Sequence, residues 1–149
     1  MGYRFESCLK RQKQIDMSIG KLTEIEVLHL AEKHGIIVSL PFGGQERYDQ
    51  IWDVNGKLLK IQIKHAQLSE DRTHISLKCQ SKKRYEEGEI DAVVTCFDGK
   101  LYYIPFDKVN RSSKKKLYFH LTFEIAQKCQ MSQINWAIYH ELEYQLKSI

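Results

Sequence analysis

A chain of 149 residues has room for one substantial hydrophobic core and little for a second, so a single domain over 1–149 is expected. Its hydrophobic content of 42% and aromatic content of 11% exclude intrinsic disorder, and no apolar run approaches the roughly 20 residues of a membrane span. The 23 Lys and Arg against 19 Asp and Glu leave a net charge of +4, which suits an anionic partner such as nucleic acid without selecting one.

The first 17 residues are charged, lack the apolar centre of a signal peptide, and read as a flexible arm or a frayed helix. From 18 to 34 the apolar spacing is helical, with Gly35 placed as a left-handed C-cap. A short strand over 36–40 and a loop, PFGGQER, lead into two strand-like runs, 47–54 and 57–65. Asn55-Gly56 joins them, because that pair tolerates the positive φ angles of a two-residue type I′ turn. The run 73–80 is expected as a third strand of the same sheet. A basic segment, SKKRYEEGE, precedes a second hairpin made of IDAVVTCF, an Asp98-Gly99 turn and KLYYIP, whose β-branched first strand suits a central position. A run of lysines at 114–116, a strand LYFHL and a periodic helix over 133–147 complete the chain. The order predicts a mixed α/β (α+β) fold, with a central, mostly antiparallel mixed sheet flanked by helices.

With Asn55 and Gly56 as the loop, Val54 faces Lys57 and, carrying the register along, Asp49 faces Gln62. Alternation then gathers Asp49, Gln62 and Lys64 on one face, and Tyr48, Trp52, Val54, Leu59, Ile61 and Ile63 on the other. On the helix, steps of about 100° from Leu22 put Val27, Ala31 and Leu28 at about 140°, 180° and 240°, with Glu24 near 200° among them. Glu26 and His29 fall on the opposite, solvated side. A carboxylate in the middle of an apolar face needs a partner or a cation, and the polar face of the hairpin is placed to provide one.

An acid, an amide oxygen, a lysine and a glutamate from a helix suit one chemistry. Asp49 and the side-chain carbonyl of Gln62 offer hard oxygen ligands for Mg²⁺, which keeps waters of its own, and Lys64 stands ready to position or deprotonate an attacking water. That is metal-dependent phosphodiester hydrolysis. The competing structural reading makes Asp49 and Lys64 an exposed cross-strand ion pair and Glu24 a cap or the partner of a core lysine.

Tyr48-Asp49 followed by Gln62-Ile63-Lys64, after Gly20 and Glu24 on a helix, resembles the PD-(D/E)XK nucleases, and most closely their variant in group I intron-associated homing endonucleases. Over residues 18–66 the resemblance implies a restriction-endonuclease-like core, Asp49 as the strand aspartate, Lys64 as the catalytic lysine and Glu24 as the helix acid. It implies that Ile63 lends its backbone carbonyl to the metal, that the cofactor is Mg²⁺ with Mn²⁺ able to replace it, and that the substrate is double-stranded DNA. Gln62 departs from the Glu or Asp of the wider superfamily. The missing charge weakens metal affinity, yet the intron-associated group resembles this chain in having Gln there.

The leading expectation is therefore a Mg²⁺-dependent DNA endonuclease of homing or restriction-like specificity that uses Glu24, Asp49, Gln62 and Lys64. A Holliday-junction resolvase, or a DNA-binding module that kept the fold and lost catalysis, is the alternative. One site per chain makes a homodimer or homotetramer the simplest way to cut two strands. Gln45, Arg47, Lys60, His65, Lys82, Lys83 and Arg84 are the candidates for DNA contact, because backbone contacts dominate nucleic-acid affinity. His65 is singled out among six histidines, none in an HExxH pattern, by its place beside Lys64. The cysteines at 8, 79, 96 and 129 show no metal-ligand spacing and are expected as free thiols of a cytoplasmic protein.

Overall fold

The computed structural model describes residues 2–79, 84–110, 118–123 and 136–149. Helix α1 (Gly2–Lys33) takes in the charged arm as well as the expected helical segment, and every described side chain from 8 to 15 is exposed. The helix stops where the sequence says it should. Gly35, at φ 76°, donates its N–H to Glu32, and Ile36 donates to Ala31 at 3.1 Å, which together close a Schellman cap.

Five strands form the main sheet in the order β1-β2-β3-β6-β7: β1 (Ile37–Ser39), β2 (Gln50–Val54), β3 (Lys57–Ile63), β6 (Ala92–Phe97) and β7 (Lys100–Pro105). All neighbours are antiparallel except β3 and β6, which run parallel with Gln62 beside Val93. The β2–β3 register runs from Val54–Lys57 to Gln50–Ile61, as the Asn55-Gly56 turn requires, with φ of 54° and 85° at the two turn residues. At the parallel junction Asp91 donates its N–H to the Lys60 carbonyl and accepts the Lys60 N–H on Oδ2 at 2.7 Å, which extends the ladder by one residue.

The segment expected as a third strand of this sheet lies elsewhere. Strand β5 (His74–Lys78) sits in a separate antiparallel sheet, between β4 (Ala66–Leu68) and β8 (Tyr118–Thr122). The reason is competition for the β3 edge. β6 is buried from Ala92 to Cys96 and belongs at the centre, whereas β5 buries only alternate residues, Ile75 and Leu77, and suits an outer layer.

The main sheet is therefore covered on both faces. One core packs Val27 and Ala31 of α1 and Leu142 against Trp52, Ile61, Ile63 and Val94. The other packs Ile75, Leu77, Leu121 and Ala137 against Val93, Tyr102 and Ile104. A second correction follows from this. The helix expected over 133–147 is described from residue 136 as two short helices, α3 (Trp136–His140) and α4 (Leu142–Gln145). Between them Glu141 is extended, with ψ 139°, and it bridges Tyr102 and pairs with Lys100 at 3.2 Å. The break carries the chain across the edge of β7, from the core holding Ala137 to the core holding Leu142.

Helix α2 (Phe106–Asn110) and strand β4 were not expected. Among the described residues no helix is long and apolar enough to cross a membrane. Cys79 and Cys96 are buried free thiols and Cys8 an exposed one, while Cys129, Lys82, Lys83 and the lysines at 114–116 lie outside the described residues.

Candidate active site

β1 ends opposite Ile51, so the loop of residues 40–49 opens and closes at one end of the sheet, and Asp49 is its last residue before β2. There the pairing slips. The Asp49 N–H bonds the Ile61 carbonyl at 2.8 Å although Ile61 already faces Gln50, an extra-residue offset of the kind that defines a β-bulge. This corrects the expected place of Tyr48. It does not join Trp52 but packs against the second core, with the Lys60 ammonium 5.9 Å from its ring centroid. The bulge thus aims both Tyr48 and Asp49 toward the side of β3 that carries Lys60 and Gln62.

Asp49 and Gln62 meet through their side chains across the bulge, since the ladder register ends one residue earlier at Gln50 and Ile61. Asp49 Oδ2 accepts the Gln62 Nε2–H at 2.6 Å and the Ile63 N–H at 2.7 Å. The same Gln62 nitrogen donates to the Ile63 carbonyl at 3.3 Å, so two oxygens converge on one partly positive group. Lys64 follows, half-buried, its N–H held by the Val94 carbonyl at 3.0 Å. Its charge acts on Asp49 on one side and on the Cys79 thiol on the other, a thiol that burial pushes up to about 11.

Glu24 reaches this point from α1. Half-buried rather than fully enclosed, it lies close enough to Asp49 for the two charges to interact. Burial is the larger reason that Glu24 holds its proton above the usual carboxylate range, Asp49 the second, and Lys21 opposes both. Asp49 is also raised, by burial, against the Ile63 N–H, the Lys64 charge, the Gln62 amide and the Lys21 charge. Two carboxylates that both resist ionisation, flanked by lysines, mark a place where a cation would be welcome.

The candidates for DNA contact divide. Lys60 is exposed, but its Nζ donates to the Gly88 carbonyl at 2.9 Å. Arg47 stacks 4.5 Å over the Tyr85 ring, pairs with Glu89 at 3.4 Å and donates to the Arg84 carbonyl, so it braces the 84–89 segment. Gln45 is exposed in the loop beside Gly43 and Gly44, whose φ of 116° and 73° only glycine adopts freely. Arg84 is exposed too. His65 is exposed, with its Nδ1 3.0 Å from the buried Thr23 hydroxyl.

Two residues that hold the site had not been singled out. Gln50, 1% exposed, donates Nε2 to the Glu24 carbonyl at 3.0 Å and accepts the Trp52 Nε1–H at 2.9 Å. Thr23, 5% exposed, bonds His65. Both carried a legible signal: Gln50 is in phase with Trp52 and Val54, and Thr23 with Val27, each a polar residue on a buried face.

The profile of one family, described as PD-(D/E)XK endonuclease, matches residues 15–143. The chain belongs to the PD-(D/E)XK endonuclease family. Among solved structures, this PD-(D/E)XK chain is similar to a bacterial homing endonuclease, I-Ssp6803I, with a TM-score of 0.63 and 22% identity over 86% of this chain and 87% of the other. At that identity the likeness shows the fold, which is restriction-endonuclease-like. A comparison with curated protein sequences found no match. As a PD-(D/E)XK endonuclease the protein is a nuclease with DNA as its substrate. Its candidate centre differs from an all-carboxylate metal site: among the described residues no three His, Cys, Asp or Glu side chains cluster to hold an ion.

Proposed function

We propose that the protein is a Mg²⁺-dependent endonuclease that cuts double-stranded DNA with homing or restriction-like specificity, using Glu24, Asp49, Gln62 and Lys64. The observation that carries the reading is the Gln62 amide nitrogen set between Asp49 Oδ2 and the Ile63 carbonyl, with Lys64 the next residue along. Those two oxygens fit a hard divalent ion, and half a turn of the Gln62 amide would add a third, since amide nitrogen and oxygen are assigned from their hydrogen-bond partners. Asp49, Gln62 and the Ile63 carbonyl would hold Mg²⁺, with Mn²⁺ able to replace it.

When bound, the ion supplies charge stabilisation to the phosphoryl group under attack. The chain's own residues do the rest. Lys64, rooted at the end of β3 by its bond to Val94, donates to and orients the attacking water and balances charge near the scissile phosphate. Glu24, made more basic by burial, is the group able to take a proton beside it. With one such centre per chain, a homodimer or homotetramer is the simplest working form for a double-strand break.

Incubating the protein with plasmid and mixed linear duplexes in Mg²⁺, with and without chelator, tests the proposal. Nicking or linearisation abolished by chelator and by Asp49→Ala supports it. Binding without nicking at any protein concentration refutes it in favour of a DNA-binding module. Cleavage confined to four-way junctions identifies a resolvase instead.

A further inference from the structure

Glu24 and Lys64 lie on different elements, and the residues next to them in sequence are bonded to each other. Thr23, directly before Glu24, is buried on α1. His65, directly after Lys64, lies in the short connector between β3 and β4, exposed on one side and bonded through Nδ1 on the other. Thr23 Oγ1 stands 2.9 Å from the Ile19 carbonyl and 3.0 Å from His65 Nδ1. A hydroxyl has one proton, and here it goes to Ile19, so Nδ1 carries the proton of the second bond and donates to Oγ1. The Gln50 bond to the Glu24 carbonyl lies one residue further along the helix.

We propose that Thr23 and His65 form a clasp that sets the spacing between Glu24 and Lys64, and that His65 is a positioning residue rather than a contact for the DNA backbone. The inference rests on the nuclease reading for its consequence, though not for its geometry. Past Lys64 the chain leaves the main sheet, and the Lys64 N–H to Val94 is the last ladder bond of β3. Where the chain passes from one sheet to the other, the lysine side chain takes its position from whatever holds that connector. The clasp fixes the connector to the helix that carries the acid, 42 residues away in sequence. A misplacement of about 1 Å at a reacting group is enough to cost about 100-fold in rate, so a bond that touches no substrate is still felt in turnover.

Four variants of the whole chain test it: Thr23→Val, Thr23→Ser, His65→Ala and His65→Asn. Thr23→Val and His65→Ala are expected to lower kcat about 10- to 100-fold, with KM for DNA within about twofold of the parent. Thr23→Ser keeps the hydroxyl, and Asn offers an amide N–H near the position of Nδ1–H, so both are expected to recover most of the rate. Nitrogen-15 NMR of the His65 ring should find the proton on Nδ1, and amide exchange near residues 24 and 64 should quicken in Thr23→Val. A proton on Nε2, or exchange unchanged by Thr23→Val, overturns the clasp. So does a His65→Ala enzyme with unchanged kcat, raised KM and a salt slope about one unit shallower, because that is the signature of a lost phosphate contact. If the parent cleaves no DNA with any divalent metal, the nuclease reading fails, and the ring proton and the amide exchange still decide the clasp.

Discussion

The Gln62 amide nitrogen lies 2.6 Å from Asp49 Oδ2, at the point on which the Ile63 carbonyl also converges. A partial positive charge there stabilises the metal-free site, and a divalent ion would displace it. Replacing the amide by a carboxylate reverses the local electrostatics. Gln62→Glu is expected to lower thermal stability without metal, because two carboxylates then crowd one spot, and to bind Mg²⁺ or Mn²⁺ more tightly than the parent. Melting curves with and without millimolar metal, together with calorimetric titration, check both halves. A variant equally stable in both conditions would place the ion elsewhere.

Lys64 belongs to neither core, unlike Ile63 before it. Its removal should therefore leave the fold and cost the chemistry. Lys64→Met is expected to reduce single-turnover cleavage by about 10²-fold or more while DNA affinity stays within a few fold. Filter binding beside quenched-flow cleavage separates the two. Cleavage at the parental rate would remove Lys64 from the mechanism.

Asp49 couples activity to stability through pH. Its carboxyl is raised by burial, so the folded chain binds its proton more tightly than the unfolded chain does. Stability from this group is greatest below the unfolded carboxylate range and is lost as pH rises through the raised value. Asp49→Asn abolishes that loss. The variant is expected to melt above the parent at neutral pH, with the gap closing as pH falls toward the usual carboxylate range, and to be inactive. A variant that melts below the parent at neutral pH would mean that the hydrogen bonds from Ile63 and Gln62 outweigh the cost of burial.

How much of this was legible in the sequence depends on whether the deciding physics was local. Asn55-Gly56 and Asp98-Gly99 announced their turns because positive φ is a property of two residues, and the first of them carried the register as far as Gln50 and Ile61, one residue short of Asp49. The helical period marked Glu24 as a carboxylate among apolar residues, and the structure sets it half-buried within reach of the Asp49 charge. The place of β5 was not, because β6 and β5 compete for one edge and the outcome depends on what covers each face. Neither the bulge at Asp49 nor the break at Glu141 is written in a turn dipeptide. The first follows from a single misaligned bond to Ile61, the second from a chain crossing a sheet edge between two cores. Gln50 and Thr23 are a different case: the argument applied to Glu24 would have found them.

The helix that carries Glu24 also leaves an apolar row in solvent. Ile15, Ile19, Leu22 and Ile25 are 45%, 36%, 62% and 57% exposed, and their spacing of four, three and three puts them on one side of α1. Under the proposed double-strand cleavage, a second copy of the chain is the partner this row is expected to meet. Ile19→Glu with Leu22→Glu is expected to lower the mass seen in sedimentation and to slow plasmid linearisation more than nicking. A parent chain that sediments as a monomer with DNA bound would leave that row without this role.

Gln50 offers the sharpest test of how the fold holds the acid. Its side chain satisfies the buried Trp52 N–H at one end and grips the Glu24 carbonyl at the other, so it ties β2 to α1 through a fully enclosed amide. Gln50→Leu keeps the volume and removes both bonds. A buried indole N–H left without an acceptor costs about 1–3 kcal/mol, which for a domain of this size corresponds to roughly 2–4 °C of melting temperature per kcal/mol. Because the lost grip lies at Glu24 itself, turnover is expected to fall further than the stability change accounts for, with DNA affinity retained. Chemical denaturation beside cleavage kinetics checks the pairing. Full activity in a destabilised Gln50→Leu chain would show that Glu24 is held in place by other bonds.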